Sequence, residues 1–346
     1  MADLRSFLQA QFAVAGGSLP FERYMELALY DPDFGYYGHH IKSVGGERAD
    51  FATSATLSGG LSRAIARWIE QRSDDLSALV PQGKVPVIEV GPGSGELAEG
   101  ILRALGWRGR RRIDYHVVEV SAPLARAQRE RLGRRLAGSH QSLEQALDVC
   151  QGSSLIISNE LIDAFPARLF RWSESLADFE EVWIEWSESG GLREVFHSIS
   201  DSADLRQIPR FRSNDWREGD RIELQSSVDR WLRSWTPHWR AGAMLTIDYG
   251  SEEDADFRRG SLGTLRAYSR HQRITGGGVY AQFGKRDLTV DVHFGDLVRW
   301  GEACRLRTVS LRSQRRFLSD YGESADVMAR DGVGDAFLVL DVLRQK

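Results

Sequence analysis

The residues with most capacity for chemistry in this 346-residue sequence lie in Val87-Ile88-Glu89-Val90-Gly91-Pro92-Gly93-Ser94-Gly95. An apolar run enters a glycine-rich turn, and the turn opens a helix. Glycines let backbone approach a ligand where any Cβ would collide. The helix start adds unpaired N–H groups and a positive dipole end. A dinucleotide fingerprint wants glycine at its first, third and sixth positions. Here the sixth position is Glu96, whose carboxylate would repel a pyrophosphate. No Gly-Lys-Ser/Thr follows, which excludes a P-loop. The set Glu89, Gly91, Pro92, Gly93 and Gly95 instead suits a ligand without phosphate. Glu119 closes the next apolar run and can accept two hydrogen bonds from a ribose diol.

A second constellation is Leu155-Ile156-Ile157-Ser158-Asn159-Glu160-Leu161-Ile162-Asp163-Ala164-Phe165-Pro166. It follows an apolar strand, so it belongs at the carboxyl edge of a sheet, where open α/β sheets bind ligands. Asn159, Glu160 and Asp163 are then expected to face the same cleft as the glycine turn. The plainer alternatives are a turn-capping role for Asp163 and a solvated rim carboxylate at Glu160.

The elements that must position these residues follow from pattern. Val85 to Val90, Tyr115 to Val120 and Leu155 to Ser158 read as strands covered on both faces. They alternate with helices at Glu96 to Leu105 and Leu124 to Leu136, which implies an α/β parallel sheet. Upstream, Ser18, Pro20 and Glu22 precede a short helix that Asp31-Pro32 ends. A second helix, Thr56 to Ala78, carries Leu61, Ile65, Trp68 and Ile69 on one face. Downstream, Arg168 to Trp172, Glu181 to Trp186 and Leu192 to His197 read as antiparallel strands, with Ser189-Gly190-Gly191 as one turn. Ser227 to Trp235 reads as a helix. Ala243 to Asp248, Arg305 to Leu311 and Phe337 to Leu343 return to the sheet. The expected division is 1–80, an N-terminal helical extension; 81–166, the first half of a core; 167–240, a Trp-rich insertion; and 241–346, the second half, with an insertion at 251–300.

Composition narrows the class. Hydrophobic residues make up 42% and charged residues 27%, as in globular proteins. No eighteen-residue apolar run exists, so no membrane-inserted helix is expected. The net charge of −4 argues against a nucleic-acid partner, and the basic stretch of Arg108, Arg110, Arg111, Arg112 and Arg126 to Arg135 reads as solvated helix faces. The two cysteines suit a reducing compartment and exclude a Cys-rich zinc site. His39 and His40 have no accompanying ligands, so no metal is expected. The start lacks the pattern of a secretory or transit segment, and cytoplasmic, bacterial residence is the expectation.

The turn with Glu89 before it resembles the first motif of S-adenosyl-L-methionine methyltransferases. No Asn/Asp-Pro-Pro-aromatic sequence follows the strand Leu155 to Ser158, which argues against methylation of a nucleic-acid base. Across nearly its whole length the chain resembles the MidA-like methyltransferases, which include a mitochondrial complex I assembly-factor methyltransferase. The residues that carry this include Tyr24-Met25 with Leu29-Tyr30-Asp31-Pro32 and Gly35-Tyr36-Tyr37, then Asp50-Phe51-Ala52-Thr53-Ser54 and the glycine turn. Asn159-Glu160 with Asp163-Ala164 and Pro166, Asp248-Tyr249-Gly250, Gly263-Thr264-Leu265-Arg266 with Tyr268, and Asp287-Leu288-Thr289 complete the set. The resemblance implies a seven-stranded, mostly parallel, Rossmann-like sheet with an N-terminal helical extension and an inserted antiparallel β/helical subdomain. It implies S-adenosyl-L-methionine as cofactor, with Thr53 and Asn159 beside it. It also implies a protein substrate, arginine favoured, such as a respiratory complex I subunit. Glu160 is the expected guanidinium clamp and Asp163 the second choice. Oligomeric state is open, a homodimer included. Two departures stand out: Ala55-Thr56 replaces a common Pro-Glu, and His293 replaces a frequent Asp. The rival functions are a non-catalytic assembly scaffold that binds through the tryptophans, and a nicotinamide-dependent oxidoreductase, which Glu96 disfavours.

Overall fold

The computed structural model describes residues 3–41, 59–77, 83–186, 191–199, 215–257, 259–269, 272–324 and 336–344. Thr53, the departure at 55–56 and most of the expected 189–191 turn lie outside these residues. Contacts divide the chain into two units. One is Met1–His40, Ala164–Ser227 and Ser251–His293; the other is Ile41–Asp163, Val228–Gly250 and Phe294–Lys346.

The second unit contains a seven-stranded path. Its strands are β1 Val85–Val90, β2 Ile113–Val118, β3 Gly138–His140, β4 Ser153–Asn159, β5 Ala241–Ser251, β6 Leu306–Ser313 and β7 Phe337–Arg344. Their order is β3-β2-β1-β4-β5-β7-β6. All neighbours are parallel except β7, which runs antiparallel to both β5 and β6. This is the seven-stranded, mostly parallel sheet the sequence led us to expect. Every residue of β1 is buried, as in strands covered on both faces. Helices α1 Gly59–Leu76, α2 Glu96–Ala104 and α3 Ala122–Leu132 supply part of the cover. Leu61, Ile65, Trp68 and Ile69 of α1 form one core with Leu97 and Ile101 of α2 and with Val87, Leu155, Ile157 and Leu245. Each such buried side chain contributes about 1.5–3 kcal/mol of transfer free energy.

Local chemistry sets the helix limits. Ser121 caps α3, its hydroxyl accepting the Leu124 N–H, and a proline lies in the first turn. Helix α3 therefore starts before Leu124. It stops at Leu132 because Gly133 follows with φ +53°, short of the expected Leu136.

The first unit holds an antiparallel sheet. Arg168–Ser173, Asp178–Trp186 and Leu192–Ser198 are the three expected strands, joined by Ser18–Pro20 and Arg221–Leu224. Ser18 is thus a strand residue opposite Glu185, and the helix Phe21–Tyr30 has no side-chain cap. A smaller sheet places Arg266–Ser269 between Gln272–Ile274 and Asp287–Thr289. Glu223 is buried and accepts the N–H groups of Thr264 and Leu265 at 2.8 and 3.3 Å. The Tyr37 hydroxyl donates to Asp287 at 2.9 Å, and Tyr36 is buried. His293 pairs with Asp254 at 2.9 Å. None of the seven tryptophans between 172 and 239 is exposed, and Trp216, Trp235 and Trp239 are fully in core.

Candidate active site at the carboxyl rim of the sheet

Strand register brings the two constellations level. Val90 pairs with Val118 on one side and Ser158 on the other, and Asn159 pairs with Ile247. Gly91, Glu119 and Glu160 therefore leave the sheet at one rim, level with Asp248, which is still within β5 and pairs with Leu338. Strands β1 and β4 are neighbours in space but not consecutive, which makes this the switch point where open α/β sheets form a binding crevice.

Gly91, Gly93 and Gly95 all adopt left-handed backbone, with φ of 63°, 55° and 83°. A Cβ on Gly91 would stand 2.7 Å from Leu161 Cδ1. Pro92 and Ser94 are buried between them. No side chain caps α2, so its first N–H groups remain available to a ligand. Glu96 pairs with Arg131 at 3.2 Å. Glu89 lies below the turn, fully enclosed, and accepts the Tyr115 hydroxyl at 2.7 Å. Burial pushes its carboxyl up to about 7, against the pull of the Tyr115 hydrogen bond.

Glu119 is buried at the end of β2. One carboxylate oxygen accepts the Ser121 N–H at 2.8 Å and the other the Gln128 amide at 3.0 Å. A carboxylate offers about four lone-pair sites, so acceptor capacity is left for a diol. Burial raises Glu119 to about 7, with the Ser121, Gln128 and Val120 donors opposing. Val120 beside it is apolar yet 67% exposed, a surface on which a flat ring could rest.

The acidic loop is held from β5. Asp248 is completely buried, and its Oδ2 accepts the N–H groups of Leu161, Ile162 and Asp163 at 3.2, 2.9 and 3.2 Å. Burial first, then the Asp163 and Glu160 carboxylates, hold its acid well above the usual range. The turn Ile162–Ala164 is thus capped from outside, by Asp248 and not by Asp163. Asp163 is buried and accepts the Tyr249 hydroxyl in a short hydrogen bond. Glu160 is half-buried, sits at φ +51°, and donates its N–H to Ile247 at 2.9 Å. Its Oε1 accepts the Asn159 amide at 3.2 Å.

Glu89, Gly91, Pro92, Gly93, Gly95, Glu119, Asn159, Glu160 and Asp163 thus belong to one rim of one sheet. Thr53 lies outside the described residues. Four contributors escaped reasoning from the residues alone: Tyr115, Val120, Gln128 and Asp248. Only Asp248 had a signal, as part of Asp248-Tyr249-Gly250. Among the described residues no group of three or more His, Cys, Asp or Glu is disposed to hold a metal. No described helix is long and apolar enough to cross a membrane. Both cysteines are buried and unpaired.

A family model described as "Putative S-adenosyl-L-methionine-dependent methyltransferase" matches residues 64–311. The chain is also similar to the protein arginine methyltransferase NDUFAF7 homolog, mitochondrial, of Drosophila melanogaster, at 26% identity over 80% of this chain and 65% of that one. The mouse protein arginine methyltransferase NDUFAF7, mitochondrial, is 26% identical over 88% of this chain and 71% of its own. A superfamily member from Burkholderia thailandensis, crystallised with S-adenosyl-homocysteine, superposes with a TM-score of 0.82 at 26% identity, covering 99% of this chain and 92% of that one. The expectation of bacterial cytoplasmic residence is corrected by these relatives, since the curated ones carry the designation mitochondrial. Composition could not have decided it, because cellular addresses are read from separate, removable segments and not from the fold.

Proposed function

The chain belongs to this family of S-adenosyl-L-methionine-dependent methyltransferases, and on that premise we propose that it methylates a protein side chain, the guanidinium of an arginine. The donor's chemistry suits the rim. The turn's glycines present bare backbone, and a Cβ at Gly91 would collide with the Leu161 side chain that packs against it. Glu119 has acceptor capacity for the two ribose hydroxyls, and Val120 offers apolar surface to the base. Glu89, close under the turn, is the group for the amino-acid end. Asn159 and Thr53 complete the proposed set.

When bound, the cofactor supplies a methyl group already activated by its sulfonium. The protein's main task is alignment, and good orientation is worth roughly 7–11 kcal/mol. An arginine acceptor adds a second task, because its guanidinium stays protonated and attacks poorly. A carboxylate can fork to it, fix its plane and draw positive charge away from the attacking nitrogen. We assign that work to Glu160. The observation that carries it is the left-handed backbone of this glutamate at the tip of β4. A non-glycine residue in that conformation marks a side chain held where relaxed backbone would not put it. Asp163, engaged with Tyr249, positions the loop. The relatives named protein arginine methyltransferases support the acceptor class, and a respiratory complex I subunit is the first protein to try.

The experiment is transfer from radiolabelled S-adenosyl-L-methionine to a deletion-strain lysate, with calorimetry on the same samples. Glu160→Gln should bind the cofactor as wild type does and lose at least about a hundredfold in transfer, the scale of a lost charged transition-state contact. Wild-type transfer by the variant would remove Glu160 from the mechanism. Label on an acceptor other than arginine would remove the guanidinium.

A further inference from the structure

Gln128 stands in the middle of α3 with no exposed surface. Its amide nitrogen donates twice, to the Gly93 carbonyl at 2.7 Å and to Glu119 Oε2 at 3.0 Å. The Gly93 carbonyl has no proton to donate, and an ionised Glu119 has none, so the amide has one orientation; reversed, its oxygen would face the Gly93 oxygen. In the observed orientation the Gln128 carbonyl oxygen is buried with no hydrogen-bond partner among the described residues. An unmet buried acceptor is a cost, and a leucine or methionine would fill the same space without it. Packing alone does not explain a glutamine here.

We infer that Gln128 is a positioning residue for the cofactor site, one amide that fixes the glycine turn and the ribose-binding carboxylate relative to each other. The inference rests on the proposed cofactor residues and adds to them a residue that need not touch the cofactor. The Ser121 N–H holds one Glu119 oxygen and Gln128 the other, so the carboxylate cannot rotate without losing a bond. The same side chain grips the turn at Gly93, the middle of its three left-handed glycines. Helix α3 is itself braced against α2, where Arg131 pairs with Glu96 and Glu99. Displacement of either loop is therefore passed to the other through Gln128.

Glu119 also gives this coupling a readout. Burial raises its acid, and the described donors that favour its ionised form are Ser121, Gln128 and Val120; no charged side chain figures among the causes. The nearby imidazoles, His116 on β2 and His140 on β3, whose carbonyl accepts the Glu119 N–H at 2.9 Å, hydrogen-bond each other at 3.1 Å. Removing the Gln128 donor removes support for the anion.

The test measures affinity for adenosine and 2′,3′-dideoxyadenosine from pH 6 to 9 by calorimetry. These probes lack the amino-acid end assigned to Glu89, which is also raised to about 7. S-adenosyl-L-methionine at pH 8 checks that the site is intact. Wild type should bind more weakly as the pH falls through about 7, the value to which Glu119 is raised, and should prefer adenosine. Gln128→Met should move the midpoint upward by about half a pH unit or more and reduce the preference for adenosine at least about threefold. Gln128→Glu, which sets a second acid beside Glu119, should move the midpoint further in the same direction. In a Glu119→Gln background, Gln128→Met should change neither quantity. Variants that bind with the wild-type midpoint and preference overturn the inference while leaving the cofactor reading intact. Wild type that binds none of the probes overturns the cofactor reading itself. The two replacements differ in polarity and charge, so a folding failure in one leaves the other to decide.

Discussion

Asp248 holds Ile162 by its backbone: the carboxylate oxygen accepts the Ile162 N–H at 2.9 Å, and those of Leu161 and Asp163 at 3.2 Å each. The other oxygen accepts the Tyr249 N–H at 2.9 Å. All four donors come from backbone, so an amide at this site turns one of its own donors toward a donor. Asp248→Asn should lower stability by about 1–3 kcal/mol, the cost of an unmet buried group. Because the loop carries Glu160, turnover should fall while cofactor affinity stays within about twofold. Thermal unfolding and calorimetry on one preparation check both halves.

Glu160 itself should trade stability for function. Its φ of +51° costs a residue with a Cβ roughly 1–2 kcal/mol, and glycine adopts this conformation without strain. Glu160→Gly keeps the backbone N–H that donates to Ile247. The variant should melt higher by an amount corresponding to about 1 kcal/mol, with methyl transfer lost. A lower melting point would mean that the side chain is structural, and the clamp would lose its support.

The sequence was most legible where one physical rule acted alone. Strands β1 and β4 are apolar runs ended by turn residues, and β1 is found at the expected residues. The glycine turn was legible because spacing and residue type speak together. Strand β3 was missed because three half-buried or exposed residues, Gly138–His140, carry no pattern, and the backbone partner β2 creates it. The helix Leu143–Val149 was missed for its shortness, although Ser142 caps it. Gln128 looked like one more polar position on a charged helix. Its burial follows from how α3 packs, which no local period records. Asp248 reads as the end of a strand until the loop it caps is in place, so only the resemblance had drawn attention to it.

Glu89 makes stability depend on pH. Its ordinary value is 4.5 and burial raises it to about 7 in the folded chain. The folded state therefore holds a proton that the unfolded state releases. This contribution is fully present below about pH 4.5 and is lost as the pH rises through 7. At pH 8 the loss is roughly 3 kcal/mol, at about 1.36 kcal/mol per unit. Glu89→Gln removes the titration, so the variant should be more stable than wild type at pH 8 and nearly equal to it at pH 4.5. The same change should weaken cofactor binding, since an amide holds an ammonium poorly. Scanning calorimetry at the two pH values, with a cofactor titration at pH 8, would expose a wrong assignment as an equal melting difference at both.

Gly91 and Leu161 set the last expectation, because they join the two constellations. A methyl group on Gly91 would stand 2.7 Å from Leu161 Cδ1, and the φ of +63° disfavours any side chain there. The two penalties separate by mutation. Gly91→Ala carries both, strain of roughly 1–2 kcal/mol and overpacking of roughly 1–3 kcal/mol, and should lose cofactor binding. Leu161→Ala alone should bind nearly as wild type does, since this half-buried side chain is not assigned to the cofactor. The double variant relieves the collision but not the strain, so part of the stability should return, with a favourable coupling of about 1 kcal/mol or more between the sites. Binding should recover only if the collision was what closed the turn. A double variant that is stable yet binds nothing would mean that the added methyl group occupies the ligand's own space. Backbone at Gly91 would then be in direct contact with the cofactor.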